Sequence, residues 1–171
     1  MQKALFLDRD GVINVEKDYL YKIKDFEFID GIFSLCHHYI SLGYLIIVVT
    51  NQSGIARGYY TEEDFSIITK WMIEEFAKES ITISKVYHCP HHPEISGECS
   101  CRKPKSGMLL QAQKDFNIDL KNSIIIGDKE RDITAGVNAG LLESYLYDEK
   151  NLITSSKATK MVTKLDDIWR V

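Results

Sequence analysis

Residues 4–14 read ALFLDRDGVIN, an apolar run of strand length that ends on two carboxylates, Asp8 and Asp10, with a glycine directly after them. A continuous apolar run closed by polar, glycine-containing sequence is what a strand buried on both faces requires. The run starts at Lys3 and ends at Leu7, and four more of the same kind follow: Tyr44 to Val49, Lys85 to His88, Ser123 to Ile126 and Ser144 to Tyr147. Helical spacing fills the gaps. Thr61 with Asp64 forms an acidic capping box ahead of Phe65, Ile68, Met72 and Phe76, and Met108, Leu109, Ala112 and Phe116 repeat the theme. Strand and helix in alternation predict an α/β fold: a doubly wound, mainly parallel, Rossmann-like sheet with helices on both faces.

In such sheets ligands bind beyond the carboxyl ends of the strands, so unusual polar residues should fall just after each run. Asp8 and Asp10 follow the first, Thr50 and Asn51 the second, Cys89 and His91 the third, and Gly127, Asp128 and Lys129 the fourth. The rest of the chain sets bounds. Its 171 residues, 44% hydrophobic and 27% charged, predict one domain over residues 1–171 with an ordinary buried core. A net charge of -4 offers no broad attraction to nucleic acid or an anionic membrane, so an anionic substrate must be gripped by a few placed cations. The apolar start is cut off far below membrane-span length, and the expectation is a cytoplasmic protein, a monomer by default. Cys36 lies among Ile32, Leu35, Tyr39 and Ile40 and reads as a core thiol. The stretch Asp148 to Thr159 reads as an exposed connection to a last turn around Leu165, Ile168 and Trp169.

Residues two apart on an extended chain share a side, so Asp8 and Asp10 aim at one point while Arg9 points elsewhere. Asp8, ionised beside a divalent cation, can attack phosphorus. Asp10, beside other negative charge, can protonate a leaving oxygen and then act as a base toward water. A phosphate ester repels a carboxylate nucleophile, so the site needs positive charge. Mg²⁺ held by Asp8 and Asp128 meets part of that need, with Lys103, the Thr50 hydroxyl and Asn51 as candidates for the phosphoryl oxygens. Any one acid after a strand is commonly a turn or cap residue, but turns do not explain the ordered set.

Cys89-Pro-His91 followed by Cys99-Ser-Cys101 supplies three thiolates and an imidazole, a closed tetrahedral set suited to structural Zn²⁺. Its task would be to pin the loop that carries Arg102 and Lys103.

The segments DRDGVIN, VVTNQSGIARG, CPHHPE, CRKPKSGML and GDKERDITAGVNAG resemble those of the haloacid dehalogenase-like phosphatases. More closely they resemble the D-glycero-D-manno-heptose 1,7-bisphosphate phosphatases and the related histidinol-phosphate phosphatases. The resemblance implies Asp8 as nucleophile, Asp10 as acid/base and Mg²⁺ ligand through its main-chain carbonyl, Asp128 as a further Mg²⁺ ligand, and Thr50 and Lys103 as steadying the phosphoryl group. It places substrate contacts at Glu16, Lys17, Asp18 and Tyr19, at Thr50, Asn51, Gln52 and Ser53, at Arg102 and Lys103, and at Lys129. It selects His91, and not His92, as the zinc ligand beside Cys89, Cys99 and Cys101. The chain length leaves no room for a cap domain, so specificity falls to the loops 16–24 and 53–60 and to the zinc loop. The implied activity is removal of the 7-phosphate of a heptose 1,7-bisphosphate through an aspartyl phosphate, giving heptose 1-phosphate for nucleotide-activated heptose synthesis. A compact zinc loop keeps histidinol-phosphate hydrolysis as the alternative. A phospho-acceptor signalling domain is the third reading, opposed by Asp10 and the cationic loop, which favour turnover.

Overall fold

The computed structural model describes residues 1–141 and 143–170. Six strands, β1 (Lys3–Leu7), β2 (Tyr44–Asn51), β3 (Ile83–Cys89), β4 (Ile124–Gly127), β5 (Glu143–Tyr147) and β6 (Lys160–Val162), form one sheet in the order β3-β2-β1-β4-β5-β6. All neighbours pair in parallel, with Leu5 opposite both Ile46 and Ile124.

The helices are α1 (Ile32–Ser41), α2 (Glu62–Lys78), a single turn α3 (Pro93–Ser96), α4 (Gly107–Phe116) and α5 (Glu130–Ala139). Strand alternation sorts the core into two layers. Leu5, Leu7, Ile46, Val48, Ile124 and Ile126 face one side with Ile32, Leu35 and Cys36 of α1 and Met72 and Phe76 of α2. Ala4, Phe6, Ile47, Val49 and Ile125 face the other with Met108, Leu109 and Ala112 of α4 and Ala135 of α5. Burying each Leu or Ile contributes about 1.5–3 kcal/mol, so the central strands are fixed from both faces. The thiol of Cys36 is buried in the first layer, and burial pushes it up to about 12.

Helix α2 starts as its sequence requires. Thr61 Oγ1 accepts from Asp64 N at 3.1 Å while Asp64 Oδ2 accepts from Thr61 N at 2.8 Å, a reciprocal cap worth about 1 kcal/mol. Residues 8–31, between β1 and α1, carry only the 3₁₀ turn Ile23–Asp25. Strand β6 follows the connection from Asp148 and has no signature in the sequence. It has three residues with only Val162 buried, too short to show a period of two.

Successive strands are added in one direction from β1 to β3 and in the other from β4 to β6, and β1 and β4 sit side by side where the order reverses. That is the switch point where a doubly wound sheet opens a crevice, and Asp8 and Asp128 leave it from adjacent strands.

Candidate active site

Past Leu7 the chain stops being a strand: the amides of Ile13 and Asn14 donate to Arg9 O at 2.8 and 3.1 Å, and Gly11 takes φ +88. The turn needs that glycine twice over, because a Cβ there would lie 2.3 Å from Asp128 Oδ2. It also changes Arg9. Alternation does not extend beyond the strand, so Arg9 does not point away. It lies buried, its Nη2 donating to Asp10 Oδ1 at 2.9 Å, to Asp10 Oδ2 at 3.1 Å and to Leu20 O at 2.8 Å. Asn14 Nδ2 adds a second residue's contact to Asp10 Oδ1 at 3.0 Å.

Asp8 is 4% exposed, and its Oδ1 lies 3.0 Å from Lys103 Nζ. Lys103 also pairs with Asp132 Oδ1 at 2.8 Å and donates to Val49 O at 2.7 Å, so the ammonium is held between two carboxylates and a carbonyl. Burial by itself would lower Lys103, but Asp132 and Asp8 outweigh it and hold the amine above its usual range, charged. The backbone of Lys103 is clasped as well: its N donates to Asn51 Oδ1 and its O accepts from Asn51 Nδ2, both at 3.0 Å.

Asp8, Asp128 and Asp132 each place a carboxylate oxygen within 4.8 Å of the others. Burial, then the charge of Asp132, raise Asp8 well above the carboxylate range, and the same two causes raise Asp128. Burial followed by Asp10 raises Glu16. Carboxylates crowded in this way suit a hard divalent cation, whose charge relieves the repulsion. Asp132, engaged by Lys103 and by Lys129 N at 3.0 Å, serves as an anchor.

The cleft above the strand ends has a volume of about 390 Å³ and is lined by Asp8, Asp10, Glu16, Asp18, Tyr19, Asn51, Gln52, Ser53, Arg57, Tyr60, Arg102, Lys129 and Arg131. Thr50, at the end of β2, is buried, with its Oγ1 accepting from Gln52 Nε2 at 2.9 Å. Lys17 is turned aside, its Nζ on Asp25 O at 2.9 Å and Glu27 at 3.2 Å. Asn51 and Gln52 border the cleft, yet their side-chain amides are engaged within the protein.

Beside the cleft, Cys89 Sγ lies 3.6 Å from Cys99 Sγ, 3.7 Å from His91 Nδ1 and 2.9 Å from Cys101 Sγ, which is 3.5 Å from His91 Nδ1. Zinc–sulfur bonds of about 2.3 Å in a tetrahedron give edges of about 3.8 Å, so the set fits Zn²⁺ with modest opening of the closest sulfur pair. His88 and His92 are occupied elsewhere, with His88 Nε2 on Glu62 at 2.7 Å and His92 Nδ1 accepting from Glu94 N at 3.3 Å. Arg102 follows the last cysteine and donates to His91 O at 3.3 Å, so the cysteine loop sets its position at the rim.

Comparison with known proteins decides the family. Residues 100–149 match the HAD-hydrolase-like family model. The chain is 57% identical over 148 residues to the D-glycero-α-D-manno-heptose-1,7-bisphosphate 7-phosphatase of Campylobacter jejuni, covering 86% of this chain and 84% of that protein. The chain belongs to the heptose-1,7-bisphosphate 7-phosphatase family. The β-anomer 7-phosphatase of Haemophilus influenzae is 48% identical over 143 residues, 81% of this chain and 78% of that one. The D,D-heptose 1,7-bisphosphate phosphatase of B. bronchiseptica, solved with magnesium and phosphate, superposes with a TM-score of 0.85 at 27% identity over 98% of this chain and 96% of that one. As a member of this family the chain is a phosphoric monoester hydrolase, and the signalling-domain reading falls away.

Several groups in and around the cleft are not legible in the sequence. Asp132 looks like any acid in a first helical turn; its signal is the spacing Asp128-Lys-Glu-Arg-Asp132, which turns it back under Lys129 N. Asn14, Arg57, Tyr60 and Arg131 carry no local signature, and the alternation that turns Arg9 away from Asp8 and Asp10 holds only within the strand.

Proposed function

We propose that this chain hydrolyses the 7-phosphate of D-glycero-D-manno-heptose 1,7-bisphosphate, with Asp8 as nucleophile. The observation that carries the reading is Asp8 itself: a carboxylate at the end of β1, fixed by Lys103 at 3.0 Å, that opens into the same cleft as Asp10.

Asp8 attacks phosphorus, the bond from phosphorus to the C7 oxygen breaks, and Asp10 delivers its proton to that oxygen, releasing heptose 1-phosphate. Asp10 then removes a proton from water as the water attacks the phosphorus on Asp8, which frees phosphate and returns both residues to their first states. Lys103 and Thr50 hold the phosphoryl oxygens while the bond changes take place. Asp8, Asp128 and the main-chain carbonyl of Asp10 would hold Mg²⁺, which supplies charge neutralisation at the phosphoryl group. Glu16, Asp18, Tyr19, Ser53, Arg102 and Lys129 border the space left for the sugar and its second phosphate. Cys89, His91, Cys99 and Cys101 would hold Zn²⁺ as a clasp for the Arg102–Lys103 segment, with no part in the bond changes. The chain acts as a single domain without a cap, since the segments after β1 and β2 hold no more than short turns before the next helix. Among the described residues no helix is long and apolar enough to cross a membrane.

Turnover of heptose 1,7-bisphosphate and of histidinol phosphate, measured side by side, tests the substrate. The expected kcat/KM favours the sugar by at least about 100-fold, near the 2.7 kcal/mol that one buried phosphate contact can supply. A preference for histidinol phosphate would overturn the reading.

A further inference from the structure

Gln52 touches two members of the reacting set. Its side-chain nitrogen carries two hydrogens, one donated to Asp10 Oδ2 at 3.0 Å and one to Thr50 Oγ1 at 2.9 Å, and the residue is 3% exposed. Turned the other way, the amide would set its oxygen against the Asp10 carboxylate, acceptor against acceptor. The side chain that selects the orientation is Tyr60, whose hydroxyl donates to Gln52 Oε1. Burial pushes this phenol up to about 12, so it carries its proton at neutral pH.

Tyr60 is itself tightly placed. It immediately precedes the Thr61 cap of α2, and its ring stacks on Tyr21 with centroids 5.3 Å apart and planes within 13°. It also packs on the bare face of Gly54, where a Cβ would come within 2.2 Å of the ring. The start of a long helix thus fixes a hydroxyl, the hydroxyl fixes an amide, and the amide meets Asp10 and Thr50.

We propose that Tyr60 is a positioning residue that, through Gln52, sets the hydrogen-bond polarity of Asp10 and Thr50. Because Thr50 Oγ1 accepts from Gln52, its own hydrogen is left to donate to a phosphoryl oxygen. Because Asp10 Oδ2 accepts from Gln52, with Asn14 on Oδ1 and Arg9 on both oxygens, the carboxyl group is held in one orientation over the leaving oxygen. The inference rests on the roles given above to Asp10 and Thr50.

The test compares kcat/KM, which reports the steps through phosphoryl transfer, for heptose 1,7-bisphosphate and for p-nitrophenyl phosphate, whose leaving group needs no proton. Proton donation is worth about 10²–10⁴ in rate, so Asp10→Asn is expected to lower the sugar ester by at least about 100-fold and the aryl ester far less. Tyr60→Phe, which removes one oxygen and leaves the ring packing, is expected to lower the sugar ester about tenfold and the aryl ester less than about threefold. Gln52→Leu should show the larger loss, and adding Tyr60→Phe to it should change nothing further. Gln52→Glu, which still accepts from Tyr60 but offers Asp10 no donor, should behave as Gln52→Leu and covers the case in which leucine disturbs folding. Equal losses for both esters in Tyr60→Phe, or additive losses in the double variant, would overturn the relay. An Asp10→Asn enzyme that loses both esters equally would instead remove the acid assignment beneath it, an outcome separable from the Tyr60 results.

Discussion

Asp132→Asn isolates the buried anchor of the site, because it removes a charge without opening a cavity. Asp132 is fully buried and engaged at both oxygens, Oδ1 paired with the Lys103 ammonium at 2.8 Å and Oδ2 accepting from Lys129 N at 3.0 Å. An asparagine can accept at only one of the two places, so its NH₂ must oppose either the ammonium or the amide. A buried donor left facing a donor costs about 1–3 kcal/mol, and the charge-assisted contact to Lys103 weakens as well. The expected destabilisation is about 3 kcal/mol, at the low end of the cost of breaking a buried ion pair. At a urea slope of about 2 kcal/mol/M that moves the unfolding midpoint down by about 1.5 M. The same change lets Lys103 drift from Asp8, and kcat/KM is expected to fall about 100-fold, as small misplacements of a catalytic group do. Lys103→Met supplies the second arm of a cycle: because the residues share one interaction, the double variant should be more stable than the sum of the single losses allows. A midpoint within about 0.2 M of the parent, or additive effects, would refute the claim that Asp132 anchors Lys103.

Three further outcomes are expected. Gly11→Ala forces a side chain onto φ +88 and onto Asp128 Oδ2, so thermal unfolding should show a loss above about 2 kcal/mol and calorimetry a weaker Mg²⁺ affinity. Stripping zinc with a chelator that spares magnesium should raise KM several-fold while leaving turnover measurable; zinc-free enzyme with unchanged kinetics would contradict the loop-clasp role. The raised carboxyls of Asp8 and Asp128 bind protons more tightly folded than unfolded, because of burial and then Asp132, so their contribution is full below the ordinary value of 3.8 and is lost as pH rises through the folded values. Denaturation without metal should therefore show stability falling above about pH 4 more steeply than in Asp128→Asn, with Mg²⁺ restoring it at neutral pH; equal slopes would rule out the carboxylate repulsion.

The parts of the fold that were legible are those where one physical cause dominates. β1 runs from Lys3 to Leu7 as read, because a strand buried on both faces must be apolar throughout, and α2 begins at the Thr61–Asp64 box because the first-turn amides need acceptors. β6 escaped notice because three residues on an outer strand bury little. At the site, the residues that follow strands could be named from position, but their connections could not. Arg9 folds onto Asp10 because the strand ends at Leu7, and Asp132 meets Lys103 because the first turn of α5 turns it back toward Lys129 N. Gln52 and Asn51 sit where a substrate would touch them, yet both amides are engaged by the protein, and that is a property of side-chain geometry with no trace in spacing. Lys17 shows the converse, a cation in a promising loop that is drawn to Asp25 and Glu27.

The central claim is that the phosphoryl group passes through Asp8. Rapid mixing of enzyme with heptose 1,7-bisphosphate labelled in the 7-phosphate, acid quench within the first turnover, and mapping of the labelled peptide tests it directly. The account expects the label on Asp8, rising as heptose 1-phosphate appears and decaying into free phosphate; release of heptose 1-phosphate with the label on another residue, or never on the protein, would contradict it.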